Sequence, residues 1–227
     1  MSDIITIGGV DYRRHPNGGG LVATTAFVAK TVHVGAEARV SGRAQVRGTV
    51  RIYDEAVVSG NARVYGNPKV YGSSKIGGNA EVYEYAEISG TATIGDKARI
   101  YGEAMVYGRA AVSGKAQVYD KARIYDSARV SGEAKIYHEA EVHDSARVYG
   151  KAEVSDMATV RGNAEVYDEA LAYSQALISD KAKVCGGAIV ADEARVYGEA
   201  EVSDRAAVRG KAEVSGKTEV GGTNDLL

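Results

Sequence analysis

The sequence predicts an all-β protein in which the chain winds as one long parallel solenoid. From Val22 to Val220 every sixth residue is a small or branched aliphatic, at thirty-four positions without an insertion, and thirty-three of them are Val or Ile. An Ala stands two residues before most of them, and a Gly or Asp stands two residues after most of them. A fixed short period whose units cannot each bury their own apolar side indicates a stacked repeat architecture.

Each six-residue unit, Ala-x-Val-x-Gly/Asp-x, predicts a short strand followed by a corner. Ala and Val two positions apart point to the same side of an extended strand, as in residues 98–103 and 194–199. The Gly or Asp falls where a tight corner needs a left-handed backbone, which Gly adopts freely and Asp tolerates. Three units close a triangular coil, so we expect residues 21–221 to form about eleven coils.

Two short segments flank the repeats. Residues 1–20 break the period and end in three consecutive glycines. We expect them to cap the first coil, because an open end would expose unpaired strand groups. Residues 222–227 form a C-terminal tail that either covers the last coil with Leu226 and Leu227 or leaves that coil for another chain.

The repeat unit resembles that of the hexapeptide-repeat family, in which a small residue follows the aliphatic four positions later. The resemblance covers about residues 20–221 and implies that family's fold, a left-handed parallel β-helix, and its usual assembly as a homotrimer. The Ala-x-Val-Tyr/Ser-Gly pattern looks like that of uncharacterised bacterial and phage-borne members, which are often described as transferases. Many family members carry Gly directly after the aliphatic residue. In this chain that position is mostly Tyr or Ser, and the Gly follows one position later.

Composition excludes several classes of partner. The net charge of −2 with interspersed signs gives no nucleic-acid footprint, and no apolar run is long enough to span a membrane. The single cysteine, Cys185, cannot form an intramolecular disulfide, and the N-terminus has no signal-peptide pattern. We therefore expect a cytoplasmic protein without a cofactor.

Tyrosines recur at the 18-residue spacing of one coil. One predicted edge carries Tyr65, Tyr83, Tyr101, Tyr119 and Tyr137. A second predicted edge carries Tyr53, Tyr71, Ser89, Tyr107 and Tyr125, followed by His143. Stacked rings contribute about 0.5–1.5 kcal/mol per pair, so the first edge is interpreted either as a stabilising ladder or as a flat strip that binds a partner protein.

Outward aliphatic residues interrupt the polar surface in one region. Leu171 and Ile189 lie one coil apart in the same column, and Leu177 lies on the adjoining face. Exposed aliphatics on neighbouring coils usually indicate association. We therefore expect these residues to form a trimer interface.

The resemblance to hexapeptide-repeat acyltransferases implies a histidine as general base. His138 is the strongest candidate, because it replaces a corner Gly or Asp and has Asp120 and Asp156 one coil below and above it. A carboxylate beside an imidazole orients it. A solvated corner substitution is the alternative interpretation of His138, and His143 is the second candidate.

The pair His138 and His143 also resembles the two histidines, five residues apart, of γ-class carbonic anhydrases. The third ligand of that family would fall at Gly102, which has no donor side chain. A zinc site needs that third ligand, so the sequence predicts no metal site.

Uninterrupted repeats also leave no loop to enclose a substrate. The sequence therefore favours a non-catalytic binding scaffold, such as a phage-borne accessory or host-interaction factor that engages a protein or a small ligand between subunits. A trimeric acyl- or nucleotidyl-transferase is the alternative, and a γ-class carbonic anhydrase-like metal protein is a less favoured one.

Overall fold

Short strands stacked every 18 residues build the molecule, as seen in a computed structural model that describes residues 4–227. Residues 1–3 of the predicted cap lie outside the described residues. Each repeat contributes one strand, and three successive repeats place their strands in three different sheets. The described residues contain no helix, and thus none that could cross a membrane. The prediction of an all-β parallel solenoid of about eleven triangular coils is confirmed.

Sheet 1 has fourteen strands. In spatial order they are Ile5–Ile7, Val10–Arg14, Leu21–Ala23, Arg39–Val40, Val57–Val58, Lys75–Ile76, Thr93–Ile94, Ala111–Val112, Arg129–Val130, Arg147–Val148, Glu165–Val166, Lys183–Val184, Glu201–Val202 and Glu219–Val220.

Sheet 2 has twelve strands and contains the residues next to the first tyrosine edge. Its strands are Phe27–Val28, Gln45–Val46, Arg63–Gly66, Glu81–Glu84, Arg99–Ile100, Gln117–Val118, Lys135–Ile136, Glu153–Val154, Leu171–Ala172, Ile189–Val190, Ala207–Val208 and Asp225–Leu226.

Sheet 3 has eleven strands and ends beside the second tyrosine edge. Its strands are His33–Val34, Arg51–Ile52, Lys69–Val70, Glu87–Ile88, Met105–Val106, Arg123–Ile124, Glu141–Val142, Thr159–Val160, Leu177–Ile178, Arg195–Val196 and Glu213–Val214.

The core is a column of Val, Ile and Ala between the three sheets. The second residue of almost every strand is fully buried, as at Val130 and Ile136, and so is the Ala two positions earlier. Parallel pairing keeps these residues in register, for example Lys135 with Glu153 and Ile136 with Val154. The six-residue period therefore arises because one aliphatic side chain per face must fill a narrow apolar interior.

The chain adopts a left-handed backbone at every sixth residue from Gly42 to Gly222. Most of these corner residues are Gly, and ten are Asp. Each corner Asp also accepts a hydrogen bond from the backbone N–H of the corner one coil later, as from Gly162 to Asp144 at 2.9 Å and from Gly198 to Asp180 at 3.0 Å. Asp is therefore used because it tolerates the left-handed conformation and pairs an otherwise free donor.

This corner chemistry predicts a clear order of stability for variants of Asp180. Asp180→Gly keeps the backbone conformation and loses one exposed hydrogen bond, so its midpoint of chemical denaturation should stay near that of the parent. Asp180→Val places a β-branched residue at a φ of 60°, which should cost about 1–3 kcal/mol. Equal midpoints for the two variants would contradict this account of the corners.

The N-terminal segment adds two antiparallel strands to sheet 1. Ile5–Ile7 pairs with Val10–Arg14, which in turn pairs with Leu21–Ala23. Gly18 and Gly20 lie against the first coil, because a side chain on either would come within 2.3 Å of a backbone carbonyl oxygen, that of Val34 or that of Gly35. The Val34 N–H donates to the Asn17 carbonyl at 3.0 Å.

The C-terminal segment continues the winding. Within residues 222–227, Asp225–Leu226 forms a further strand, in which Leu226 pairs with Val208. Leu226 and Leu227 are both exposed. Among the described residues, Asp225–Leu226 is the terminal strand of sheet 2.

Candidate functional site

The first tyrosine edge is a continuous stack of five rings. The ring centroids of Tyr65 and Tyr83 are 4.9 Å apart, those of Tyr83 and Tyr101 4.8 Å, those of Tyr101 and Tyr119 4.9 Å, and those of Tyr119 and Tyr137 5.0 Å. Neighbouring ring planes differ by no more than 3°. The predicted tyrosine stacking is confirmed, and its spacing is that of the parallel strands beneath it.

Three of the five hydroxyls, those of Tyr83, Tyr101 and Tyr137, contact an outward residue sixteen positions later. Tyr137 donates its hydroxyl hydrogen to Glu153 at 3.4 Å, and the guanidinium of Arg99 donates to the Tyr83 hydroxyl at 2.8 Å. Burial raises the pKa of Tyr83 and of Tyr119 to about 12. Both of these hydroxyls are therefore protonated at physiological pH.

Phe27 and Arg47, which the sequence analysis did not single out, extend this surface at its N-terminal end. A cleft of about 220 Å³ is lined by Gln45, Arg47, Arg63 and Tyr65. The guanidinium of Arg47 lies 5.1 Å from the centre of the Phe27 ring, which is 52% exposed. Phe27 is the only phenylalanine of the chain, and its outward position on the first strand of sheet 2 was the available signal.

The second edge is interrupted. Tyr107 stacks on Tyr125 at 5.0 Å, and His143 stacks on Tyr125 at 4.7 Å with planes 4° apart. A third edge carries a short stack, Tyr149 on Tyr167 at 5.0 Å. The 18-residue separation of Tyr149 and Tyr167 would have revealed this stack in the sequence.

His138 lies at an exposed corner between two carboxylates. Its Nδ1 is 2.8 Å from Asp156 Oδ1, and its Nε2 is 4.0 Å from Asp120 Oδ2. The side chain of His138 is 53% exposed, and its backbone N–H points to Asp120 at 3.3 Å. The structure brings together the three residues that the sequence singled out, and Asp156 can orient the imidazole. Asp120 and Asp156 also accept corner N–H groups, as other corner aspartates do.

His143 has different surroundings from His138. Its Nδ1 lies 3.5 Å from Asp144 Oδ2, and its side chain is only 16% exposed because it packs on Tyr125. Ligand atoms of Asp126, His143 and Asp144 all lie within 4.8 Å of one another, and His138 is not part of this group. Sequence reasoning missed Asp126, although it stands 18 residues before Asp144 in the same corner column.

The outward aliphatics divide between two sheets. Leu171 pairs with Ile189, and Ile189 pairs with Ala207, so these residues form one column on sheet 2. Leu177 lies in sheet 3 between Thr159 and Arg195. Leu171, Leu177 and Ile189 are each half-buried, so the apolar patch consists mainly of the sheet 2 column.

Ion pairs between neighbouring coils cover much of the remaining surface. Lys135 and Glu153 approach to 2.7 Å, Arg63 and Glu81 to 3.1 Å, and Arg123 pairs with Glu141. Such exposed pairs contribute little stability each. Their main effect is to neutralise charge along the columns of the faces.

Comparison with known proteins supports the repeat architecture. Residues 116–139 match the family model described as YdcK Beta solenoid repeat. The match covers 24 of the 227 residues, from Ala116 to Glu139, and includes Tyr119 and Tyr137. No curated protein matches the chain. This local match agrees with the β-solenoid architecture that the stacked coils show.

Proposed function

We propose that the protein is a non-catalytic, rigid scaffold that binds a partner protein through its first tyrosine edge. The observation that carries this proposal is the unbroken stack of five rings from Tyr65 to Tyr137, with centroids 4.8–5.0 Å apart. The stack runs for roughly 20 Å along the solenoid, four strand spacings. That length suits a protein surface better than a small ligand.

The rigidity of the strip favours binding. A side chain that is already fixed loses little rotamer freedom when a partner covers it. Each ring of the strip already packs against its neighbour, and the hydroxyls of Tyr101 and Tyr137 are directed to Gln117 and Glu153. Aromatic residues and Arg dominate the energetic centres of protein interfaces, and Phe27 and Arg47 extend the strip with that composition.

The favoured assembly is a homotrimer in which Leu171, Ile189 and Leu177 contribute to the subunit contacts. The apolar column on sheet 2 supports this part of the proposal, because half-buried aliphatics on adjacent coils form one continuous outward surface. The resemblance to phage-borne hexapeptide-repeat proteins supports an accessory or host-interaction role in the cytoplasm. A small ligand held between subunits is compatible with the same assembly.

One observation favours a second candidate function, a trimeric acyl- or nucleotidyl-transferase. The 2.8 Å contact between His138 and Asp156 is the geometry of an oriented general base. Against it, the imidazole is half-exposed, and the unbroken repeats provide no loop to exclude water from a reaction. The scaffold is therefore preferred.

Co-purification from the native host tests the proposed function. The parent and a Tyr101→Ala/Tyr119→Ala variant are used as bait, and captured proteins are quantified by mass spectrometry. We expect one protein to be enriched by the parent and to fall at least about tenfold with the variant, since an interface centre commonly contributes 2 kcal/mol or more. A Tyr107→Ala/Tyr125→Ala variant is the matched control, because it removes an equivalent stack from another edge.

Circular dichroism of each bait confirms that the solenoid remains folded. Equal loss of the captured protein with both double variants would contradict the assignment of binding to the first edge. Unchanged capture with the Tyr101→Ala/Tyr119→Ala variant would contradict it as well.

A further inference from the structure

We propose that Asp126, His143 and Asp144 form a binding site for a transition-metal divalent cation of the zinc class. The site is independent of the tyrosine edge and of His138. The site lies at the corner between sheets 3 and 1. Two successive coils place Asp126 and Asp144 in the same column there, and His143 directly precedes Asp144.

Distances carry the proposal. One ligand atom from each of the three side chains lies within 4.8 Å of the other two, and His143 Nδ1 is already 3.5 Å from Asp144 Oδ2. Zinc bonds to imidazole nitrogen and carboxylate oxygen are about 2.0–2.2 Å long. Two donors of one zinc ion can be no more than about 4.4 Å apart, so side-chain rotation has to bring the three groups slightly closer around the cation.

Each carboxylate is held in place through its Oδ2, and in Asp144 this same oxygen is the one that lies 3.5 Å from His143 Nδ1. Asp126 Oδ2 accepts the Asp144 N–H at 3.4 Å, and Asp144 Oδ2 accepts the Gly162 N–H at 2.9 Å.

The imidazole is oriented by stacking. His143 lies parallel to the Tyr125 ring, with planes 4° apart, and is largely covered by it. His143 thus occupies the position of a stacked tyrosine in the second edge and offers a ring nitrogen as a ligand beside Asp144. One imidazole and two carboxylates favour zinc or a neighbouring first-row metal over magnesium and calcium, which prefer all-oxygen sites. Three protein ligands leave a coordination position for water or for a partner's side chain.

The chain itself supplies conservative variants for the test. Asp126→Gly and Asp144→Gly keep the left-handed corners, because Gly occupies equivalent corners elsewhere. His143→Phe keeps a ring on Tyr125 and removes the nitrogen. Asp180→Gly is the matched control, since Asp180 occupies the same corner column and caps Gly198 but has no histidine beside it.

Isothermal titration of the untagged full chain with zinc chloride tests the site, with calcium chloride as a second titrant. We expect one zinc ion per chain, weaker or no calcium binding, and affinity for zinc at least about tenfold lower in His143→Phe, Asp126→Gly and Asp144→Gly. The Asp180→Gly and His138→Ala variants should bind zinc like the parent. Absorption of bound cobalt in the visible range should report nitrogen coordination in the parent and change in His143→Phe.

Three results would overturn the site. They are the absence of saturable zinc binding by the folded parent up to about 1 mM, unchanged affinity in His143→Phe, and equal loss of affinity in Asp180→Gly. None of these results bears on partner binding by the tyrosine edge, so the two proposals fail separately.

Discussion

Val130→Asp is expected to abolish cooperative folding of the solenoid. Val130 is fully buried in sheet 1 between Val112 and Val148 of the neighbouring coils. An unpaired carboxylate at this position would enter a narrow apolar interior without a hydrogen-bond partner, at a cost of several kcal/mol. Because each coil stabilises its neighbours, the defect should spread to both sides. Far-ultraviolet circular dichroism during urea denaturation measures the loss.

Arg129→Ala is the matched control for Val130→Asp, one residue away and pointing outward. Arg129 is exposed, and its replacement should change the free energy of unfolding by less than about 0.5 kcal/mol. A Val130→Asp variant that unfolds at the same urea concentration as the parent would contradict the inward assignment of the whole aliphatic series.

The second large effect concerns assembly. Leu171→Glu combined with Ile189→Glu should convert the proposed trimer to monomers of 23.9 kDa. The two residues are register neighbours on sheet 2, and like charges facing one another across a threefold contact repel and lose the apolar burial. Light scattering coupled to size-exclusion chromatography gives the mass, and circular dichroism should show an unchanged β spectrum.

The same two charges placed on another face provide the control for the assembly test. Thr93 and Ala111 are register neighbours on sheet 1, and Glu at both positions should leave the mass of the assembly unchanged. A trimer that persists in the Leu171→Glu/Ile189→Glu variant would place the subunit contact elsewhere. A monomeric parent would remove the trimer from the proposal.

The fold was predictable because its cause is local and repeated. Val or Ile at every sixth position indicates which side of each strand faces the core, and Gly or Asp indicates where the chain turns. The antiparallel strands Ile5–Ile7 and Val10–Arg14 were not predicted, since they occur once and have no period to reveal them. The second role of the corner aspartates was also missed, because it depends on the N–H of a residue 18 positions later.

The candidate site was predictable only to the level of columns. The 18-residue spacing placed Tyr101 beside Tyr119, and His138 between Asp120 and Asp156. Spacing does not give the direction of a side chain, so the contacts of hydroxyls such as those of Tyr83 and Tyr137 with a residue sixteen positions later were not foreseen. The grouping of Asp126 with His143 escaped for the same reason, since it requires side chains from two successive coils to turn toward one another.

The affinity of the captured partner for a His138→Ala variant tests the scaffold account most directly. The purified partner is titrated into the parent, His138→Ala and Tyr101→Ala/Tyr119→Ala, each verified to be folded and of parental assembly mass. We predict that the affinity of His138→Ala for the partner is within a few-fold of the parent's and that any host phenotype of the parent persists in this variant. The affinity of Tyr101→Ala/Tyr119→Ala for the partner should be at least about tenfold lower. Loss of the host phenotype in His138→Ala, with fold and mass preserved, would contradict the scaffold and assign His138 as the base of a transferase, oriented by Asp156.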